Sequence, residues 1–231
     1  NKKKYFMIIK AFLPCRSGSQ RIKNKNTRKF SKYKFGLFQL KIEQLIKVKE
    51  LDEIIVSTDD LKIIKFLKKK KYKKINLVKR PKNLALNSTR TDDLIIYSSK
   101  LFNKNDHVLW THVTSPLFGT KDYSDAIKVY KSKIKKFDTL VGANFIQEFI
   151  FNKKNPINYN YKKTYWPNTQ DLKKLYKINN TFFLTSAKNY KIKKNRIGSK
   201  ICFLNIKKTK SFDIDWFEDF KIAEKIYENK L

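Results

Sequence analysis

Cysteine is scarce in this chain of 231 residues, which contains only Cys15 and Cys202. Two thiols so far apart in the sequence exclude a disulfide framework and a cysteine-based metal site. Proteins that do without disulfides are typical of reducing compartments, so we expect a cytoplasmic protein.

Long hydrophobic runs are also missing. No segment approaches the roughly 18 to 20 uninterrupted apolar residues that a membrane-spanning helix requires. Three lysines at residues 2–4 precede an apolar stretch, as in a signal peptide, but Lys10 interrupts that stretch and no small-residue cleavage site follows. We therefore expect neither a targeting segment nor a membrane partner.

Acidic side chains are few, with 20 Asp and Glu against 54 Lys and Arg, and the formal net charge is +34. Such an excess ordinarily indicates a nucleic-acid or anionic membrane partner. Arginine is scarce too, however, because only six basic residues are Arg and the other 48, all Lys, are spread along the whole chain. A nucleic-acid-binding surface is clustered and richer in Arg. We expect no specific nucleic-acid partner and keep a charge-driven nucleic-acid-binding protein as an alternative function.

The sequence also lacks internal repeats and low-complexity linkers. Its hydrophobic content of 41% and charged content of 32% indicate a globular chain with a sizeable core. Its length suits one α/β domain, so we predict a single domain over residues 1–231.

The most informative segment is the loop 13–26, LPCRSGSQRIKNKN. It follows an apolar run at 5–13 that predicts a buried strand. Backbone N–H groups around a glycine can form an anion-binding concavity, and basic side chains add charge-assisted bonds to phosphate oxygens. The loop supplies Gly18, two serines, Arg16, Arg21, Lys23 and Lys25. Its spacing is neither GxxxxGK[ST] nor GxGxxG, so the prediction is a phosphate-binding loop, with a solvated basic turn as the alternative.

Strand-like and helix-like patterns alternate after this loop. They predict strands at 53–58, 75–78, 107–111, 139–145 and 181–184, and helices at 36–49, 61–70 and 94–101. Asp59 and Asp60 follow the strand at 53–58, at the edge where open α/β sheets bind ligands, and at least one of them is expected to cap the next helix. Residues 147–165 are rich in aromatic residues and Asn and predict extended hairpins that leave the sheet.

Two carboxylates stand two residues apart near the end of the chain, at Asp213 and Asp215. In an extended segment they point to the same face, while Ile214 points to the core. Such hard oxygen ligands suit Mg²⁺, which would bridge the protein and phosphates. Apolar residues recur at helical spacing from Trp216 onwards, and acidic residues before a helix are often only caps, so capping is the alternative role.

Together these motifs resemble the acylneuraminate (CMP-sialic acid) cytidylyltransferase family. The resemblance rests on LPCRSGSQR with Lys25 and Asn26, VSTDD at 56–60, the RPxxLA segment from Arg80, TSPL at 114–117 and DIDxxxDF at 213–220. It spans nearly the whole chain. It implies a three-layer α/β fold of the nucleotidyltransferase, Rossmann-like type, with a mostly parallel mixed sheet. It also implies an arm at about 145–178 that reaches across a homodimer.

The resemblance further implies Mg²⁺-dependent transfer of CMP from CTP to an acidic α-keto sugar such as N-acetylneuraminate, with release of pyrophosphate. The implied nucleotide-binding residues are Pro14, Arg16, Gly18, Ser19, Arg21, Lys25, Asn26, Asp59 and Arg80. The implied catalytic residues are Arg16, Arg21, Lys25, Asp213 and Asp215, of which the two aspartates are also the Mg²⁺ ligands. The implied sugar-binding residues are His112, Thr114, Ser115, Gln170, Asn179 and Phe183. The hydroxyls of Thr114 and Ser115 are expected to face the ligand edge.

Several positions depart from the family motifs. Where the family motifs have Lys, Asp, Gln and Gly, this chain has Gln20, Asn87, His112 and Asn180. Where they have Arg, it has Phe118, Thr169 and Lys177. These departures leave open another acid sugar, of the 3-deoxy-octulosonate, pseudaminate or legionaminate type. They also leave open a non-catalytic homologue that only binds nucleotide. A lone His beside a strand is more often structural than catalytic, and no residue of the sequence identifies itself as a general base.

Overall fold

A seven-stranded sheet organises the chain in the computed structural model, which describes residues 7–229. The strands are β1 Ile9–Cys15, β2 Glu53–Thr58, β3 Ile75–Lys79, β4 His107–Trp110, β5 Thr139–Ile146, β6 Leu175–Ser186 and β7 Ile201–Asn205. The α-helices are α1 Gly36–Ile46, α2 Leu61–Lys70, α3 Thr91–Ser99, α4 Thr120–Lys133 and α5 Phe217–Glu228.

The strand order is β3-β2-β1-β4-β6-β5-β7, and every neighbouring pair is parallel except the two pairs that β6 makes. The order reverses between β1, which is followed in the chain by β2, and β4, which lies on the other side of β1. Loops that leave the carboxyl ends of two such strands diverge and open a crevice at that edge. The loop after β1 and the TSPL segment after β4 therefore border the same crevice.

Helices cover both faces of the sheet. Along β1, Ile9, Ala11 and Leu13 enter one core and Phe12 enters the other, as the alternation of side chains along a strand requires. The larger core packs against α1, α2, α4 and α5, and the smaller one against α3 and the π-helical turn Asn189–Lys193. The three-layer α/β fold with a mostly parallel mixed sheet is thus confirmed.

Local sequence signals placed several elements correctly. β2 and α2 have the predicted bounds, and the Asp60 side chain caps α2 by accepting a hydrogen bond of 2.8 Å from the Lys62 backbone N–H. The first strand was predicted at 5–13 but ends at Cys15. Residues 5 and 6 of that prediction lie outside the described residues. The strand continues through Pro14 because β4 pairs with β1 only as far as Phe12, which leaves pairing with β2 alone at the proline.

The extended hairpins predicted at 147–165 are present only in part. Between the described β5 and β6 the backbone forms turns, a 3-10 turn at Thr169–Asp171 and one isolated antiparallel bridge, from Phe151 to Pro156. This bridge closes one short hairpin, in which the backbone N–H groups of Asn152 and Ile157 donate to the carbonyls of Asn155 and Ile150, both at 2.9 Å. The Asn152 side chain stabilises the turn of this hairpin, because it accepts from the N–H groups of Lys154 and Asn155 at 2.9 and 2.8 Å.

Among residues 7–229, no helix combines the length and the apolar character that crossing a membrane demands.

Candidate active site

The loop after β1 is held in shape by its own side chains and by β2. Gly18 has a φ of +68°, a left-handed conformation that favours glycine. The Asp59 carboxylate accepts hydrogen bonds from the backbone N–H of Ser17, at 2.8 Å, and from the Ser17 hydroxyl. Asn26 Nδ2 donates to the Arg16 carbonyl at 3.0 Å. In this structure Asp59 and Asn26 therefore order the loop, and their predicted contact with nucleotide stays a prediction.

The loop lines a cavity of about 320 Å³, called here the phosphate cavity. Its walls are Pro14, Arg16, Ser19, Gln20, Arg21, Lys25, Asn26, Asn87, His112, Val113 and Thr114. The three basic residues predicted to bind phosphate thus converge on one space. Burial lowers the pKa of Lys25 below its usual value. Such a site favours an anion because cationic donors surround it.

Arg16 also joins the loop after β1 to the loop after β3. Its Nη1 donates to Asn87 Oδ1, in the loop that follows β3, and approaches the Gly18 carbonyl at 3.4 Å. Asn87 is the residue that departs from the family motif, and here it contacts the guanidinium of a predicted catalytic residue. The bond fixes the direction of Arg16 towards the phosphate cavity.

A second cavity, of about 660 Å³, lies beside the first and is called here the carboxylate cavity. Asp213, Asp215 and Asp219 line it, together with Asn179, Asn180 and Lys177 from β6. Ile214 is fully buried between the two predicted metal ligands, as the alternation in an extended segment requires. Asp213 and Asp215 therefore face one space, as predicted.

Two contacts connect the cavities. Arg21 Nη2 lies 2.7 Å from Asp215 Oδ1, and Lys25 Nζ donates to the Ile214 carbonyl at 2.9 Å. The Arg21 guanidinium also stacks 5.3 Å from the centre of the Trp216 ring. The basic loop and the acidic segment are distant in sequence, and these bonds make them a single site.

Asp215 has two predicted roles, as a metal ligand or as the cap of helix α5. The N-terminus of α5 is capped by Asp219, whose Oδ2 accepts from the backbone N–H groups of Asp215 and Trp216 at 3.0 and 2.7 Å. The Asp215 carboxylate is instead paired with Arg21. Asp213 accepts from Asn180 Nδ2 at 2.8 Å. Helix capping therefore does not account for the acidic pair.

His112 lies in the wall of the phosphate cavity as a neutral donor. The Trp110 Nε1–H donates to His112 Nε2 at 3.0 Å, and because an indole nitrogen can only donate, the ring proton of His112 resides on Nδ1. Burial, with the cations around it, lowers the pKa of His112 to about 3. With Nε2 occupied and Nδ1 protonated, His112 can donate a hydrogen bond to a ligand but cannot accept a proton as a general base.

A buried lysine supports the TSPL segment. Lys41 is fully buried, and its Nζ donates to the carbonyls of Ser115 and Phe118 and to the Tyr123 hydroxyl at 2.8, 3.0 and 2.8 Å. The Ser115 hydroxyl points inward and donates to the Asn180 carbonyl at 3.2 Å. The expectation that this hydroxyl faces the ligand edge is therefore wrong, because Lys41 and β6 hold the segment from within. Thr114 does line the phosphate cavity.

Lys41 should make stability depend on pH. Burial lowers its pKa from 10.5 to about 7 in the folded protein, so above pH 7 the unfolded chain binds more protons and alkali favours the native state. Relative to Lys41→Met, we expect the wild-type free energy of unfolding to be constant below pH 7 and to rise by up to about 1.4 kcal/mol per pH unit between pH 7 and 10. Urea unfolding across this range measures the difference. Lys49→Met, at an exposed position, is the control and should show no such slope.

The four remaining predicted site residues are either buried or outside both cavities. Arg80 is buried and donates to the Ser57 carbonyl at 2.7 Å, Phe183 is 2% exposed, and Gln170 is exposed on the segment between β5 and β6, outside both cavities. Asn179 reaches the carboxylate cavity, but its side chain already bonds Asn144 and Thr181. A direct ligand contact for these four residues remains a prediction.

Sequence reasoning missed four contributors to the site. They are Asn87, which bonds Arg16, Asn180, which bonds Asp213, Trp216, which stacks on Arg21, and the buried Lys41. Asn87 and Asn180 were noted only as departures from family motifs. Lys41 carried no signal, since one lysine among 48 is conspicuous only when its burial is known.

Comparison with known proteins agrees with this geometry. The family model described as Cytidylyltransferase matches residues 10–231. No curated protein matches the chain significantly.

Solved structures of similar fold share little sequence with the chain. The 4-diphosphocytidyl-2C-methyl-D-erythritol synthase of Anaerococcus prevotii DSM 20548 aligns with a TM-score of 0.65 and 15% identity, over 96% of this chain and 97% of that chain. A CMP:2-keto-3-deoxy-manno-octonic acid synthetase complexed with CTP aligns with a TM-score of 0.66 and 11% identity, over 97% and 100%. The bifunctional IspDF of Campylobacter jejuni aligns with a TM-score of 0.62 and 14% identity, over 93% and 53%.

At these identities the structural likeness establishes the fold alone. The family model, in contrast, spans nearly the whole chain, including both cavities. The protein therefore belongs to the cytidylyltransferase family.

Proposed function

We propose that the protein transfers CMP from CTP to a hydroxyl of an acidic α-keto sugar and releases pyrophosphate. The observation that carries this proposal is the junction of the basic loop and the acidic segment through the Arg21–Asp215 ion pair and the bond from Lys25 to Ile214. Nucleotidyl transfer is chiefly a matter of positioning and charge neutralisation. A cavity with three cationic side chains, beside one that Asp213 and Asp215 line, provides for both.

In this mechanism the sugar hydroxyl attacks the α-phosphorus of CTP in line with the departing pyrophosphate. The new oxygen–phosphorus bond replaces the bond to pyrophosphate, and the hydroxyl proton passes to solvent. Arg16, Arg21 and Lys25 hold the phosphate oxygens and neutralise the charge that develops on the leaving group. The Nδ1–H of His112 is available to the ligand as a donor from the same wall. Asp59 and Asn26 keep the loop in the conformation that these contacts require.

Mg²⁺ suits the donor set at the junction of the two cavities. Asp213 and Asp215 offer carboxylate oxygens towards one space, and the described residues contain no cluster of three or more His, Cys, Asp or Glu side chains that could enclose an ion alone. Mg²⁺ ordinarily takes one or two protein carboxylates and completes its shell with phosphates and water. Bound there, Mg²⁺ would neutralise phosphate charge in the transition state.

The proposal also concerns which acid sugar accepts CMP. One protein of similar fold is named as a synthetase for CMP and 2-keto-3-deoxy-manno-octonic acid, which is an acidic keto sugar. The sequence motifs favour an N-acetylneuraminate-like acceptor, and sugars of the 3-deoxy-octulosonate, pseudaminate and legionaminate types are the alternatives.

We also propose that the arm between β5 and β6 forms a contact in a homodimer. Several large apolar side chains are exposed there, including Tyr165 at 77% and Trp166 at 72%. Exposed apolar groups concentrated on one segment are typical of interaction surfaces.

A substrate matrix tests the proposed function. CTP, UTP, ATP and GTP are each combined with N-acetylneuraminate, 3-deoxy-octulosonate or 2-C-methylerythritol 4-phosphate in the presence of Mg²⁺, and pyrophosphate release is measured. We expect release with CTP and an acid sugar, at rates well above those with the other nucleotides. Preference for the erythritol phosphate, which carries a phosphate but no carboxylate, would contradict the acceptor class, and equal use of all four nucleotides would contradict the nucleotide assignment.

A further inference from the structure

Arg196 is held in an unusual position between aromatic rings. Its guanidinium carbon lies 3.8 Å from the centre of the Phe183 ring and 5.4 Å from that of Trp110. These two rings are neighbours because Trp110 of β4 pairs with Phe183 of β6. The side chain therefore lies against the sheet at the carboxyl end of β4, on the face that carries α3.

This guanidinium has no anionic partner. Among residues 7–229, no hydrogen bond or ion pair joins Arg196 to another side chain or carbonyl, although the residue is largely enclosed. Burial lowers the pKa of Arg196 below its usual value, in keeping with a cation that lacks compensation. Arg28 also lacks a protein acceptor among these residues, but it is exposed and water can satisfy it.

The groups around Arg196 are donors as well. The ring of Trp110 lies under the guanidinium, and its indole N–H donates to His112 Nε2. The Nδ1–H of His112 is therefore available to a ligand. Tyr190 stacks on Trp110 at a centroid distance of 6.3 Å, and its buried hydroxyl has no partner in the described part of the chain. The cluster thus combines a planar cation with neutral donors and no carboxylate. A planar anion with two oxygens complements such a set because a guanidinium binds a carboxylate through two parallel hydrogen bonds.

We propose that Arg196 binds the carboxylate of the acid sugar beside His112. His112 lines the phosphate cavity and lies close enough to Arg196 for the guanidinium charge to lower its pKa. The inference rests on the proposed function and adds to it a residue that selects acidic acceptors. The rings of Phe183 and Trp110 fix the plane of the guanidinium. The phosphates of CTP are the other source of anionic oxygens, and the experiment separates the two.

Steady-state kinetics with Arg196→Met and Arg196→Lys tests the inference, using CTP with whichever acid sugar the wild type turns over and with the methyl ester of that sugar. Methionine retains the apolar contact with the rings, and lysine retains the charge but not the planar pair of donors. We expect Arg196→Met to raise KM for the free acid by about 10- to 100-fold and to leave KM for CTP unchanged. Arg196→Lys should lie between. Arg90→Met, at an exposed arginine paired with Asp92, is the matched control and should behave as wild type.

The methyl ester gives the decisive comparison because it lacks the negative charge of the carboxylate. It should be a poor substrate for the wild type, and Arg196→Met should not make it worse. Equal losses with acid and ester would overturn the inference, as would a change in KM for CTP alone, which would assign Arg196 to the nucleotide phosphates. If Arg196→Met lowers the melting temperature, the acid and its ester are compared in Arg196→Lys instead. Failure of the wild type to use any acid sugar contradicts the proposed function itself, whereas acid turnover that is insensitive to residue 196 contradicts only this inference.

Discussion

Replacing Asp215 with asparagine is expected to lower the rate of pyrophosphate release by about 10²-fold at a fixed Mg²⁺ concentration. Asparagine is nearly isosteric, but it removes one of the two charged oxygen ligands available to the ion. Stability should change little, because Asp219 supplies the cap of α5 and the ion pair with Arg21 is about half exposed on both sides. The rate as a function of Mg²⁺ concentration, with thermal unfolding alongside, measures both effects, and raised Mg²⁺ should recover part of the loss.

Asp213→Asn provides the second variant, since it weakens the same site without disturbing Arg21. In the wild type, Mg²⁺ with CTP should raise the melting temperature more than CTP alone, since a ligand that binds only the native state stabilises it. This additional increase should be smaller in both variants. Asp125→Asn, on the exposed face of α4, is the control for loss of a surface carboxylate. Full activity in both Asp213→Asn and Asp215→Asn would refute the metal assignment.

The other large effect is expected at Arg16. Arg16→Ala should reduce CTP turnover by about 10²- to 10³-fold, because it removes a fixed cationic donor from the phosphate cavity. Asn87→Ala should cost less, since Arg16 then loses the bond that aims it but keeps its charge. Initial rates at saturating acid sugar, over a range of CTP concentrations, measure both variants.

Lys23→Met is the matched control for this loop. Lys23 is exposed and lines a separate hollow with Asn24, Thr27 and Lys62, so its loss removes the same charge outside the phosphate cavity. We expect near wild-type turnover in this variant. Equal losses at positions 16 and 23 would indicate general electrostatic attraction of CTP instead of a built site, and unchanged turnover in Arg16→Ala would reject the loop as the phosphate-binding element.

The elements whose bounds the sequence predicted correctly are those whose structure depends on residues close by in the chain. β2 is a short strand that is buried along almost its whole length, and α2 starts at an Asp60 cap, so both have local causes and both were placed correctly. The prediction for the arm was only partly correct. Its aromatic residues suggested extended hairpins, but the structure has a single isolated bridge there, from Phe151 to Pro156, around a turn that Asn152 stabilises.

The site, too, has a part that the sequence predicts and a part that it does not. The residues of the basic loop and the acidic pair carry motifs, and the structure brings them together. The direction of a side chain, in contrast, depends on tertiary packing that no motif describes. Asp215 meets Arg21 instead of capping α5, and Arg196 acquires its position only through Phe183 and Trp110, which belong to two different strands. The single available hint for Arg196 was that arginine is rare in this chain.

The most direct test of the central claim is the mass of the product formed from CTP and an acid sugar. After incubation with Mg²⁺, mass spectrometry should reveal one new compound with the mass of CMP plus the sugar minus one water, together with an equimolar amount of pyrophosphate. Conversion of CTP to free CMP or CDP at a rate that does not depend on the sugar, with no such conjugate, would contradict transfer of CMP to an acidic sugar.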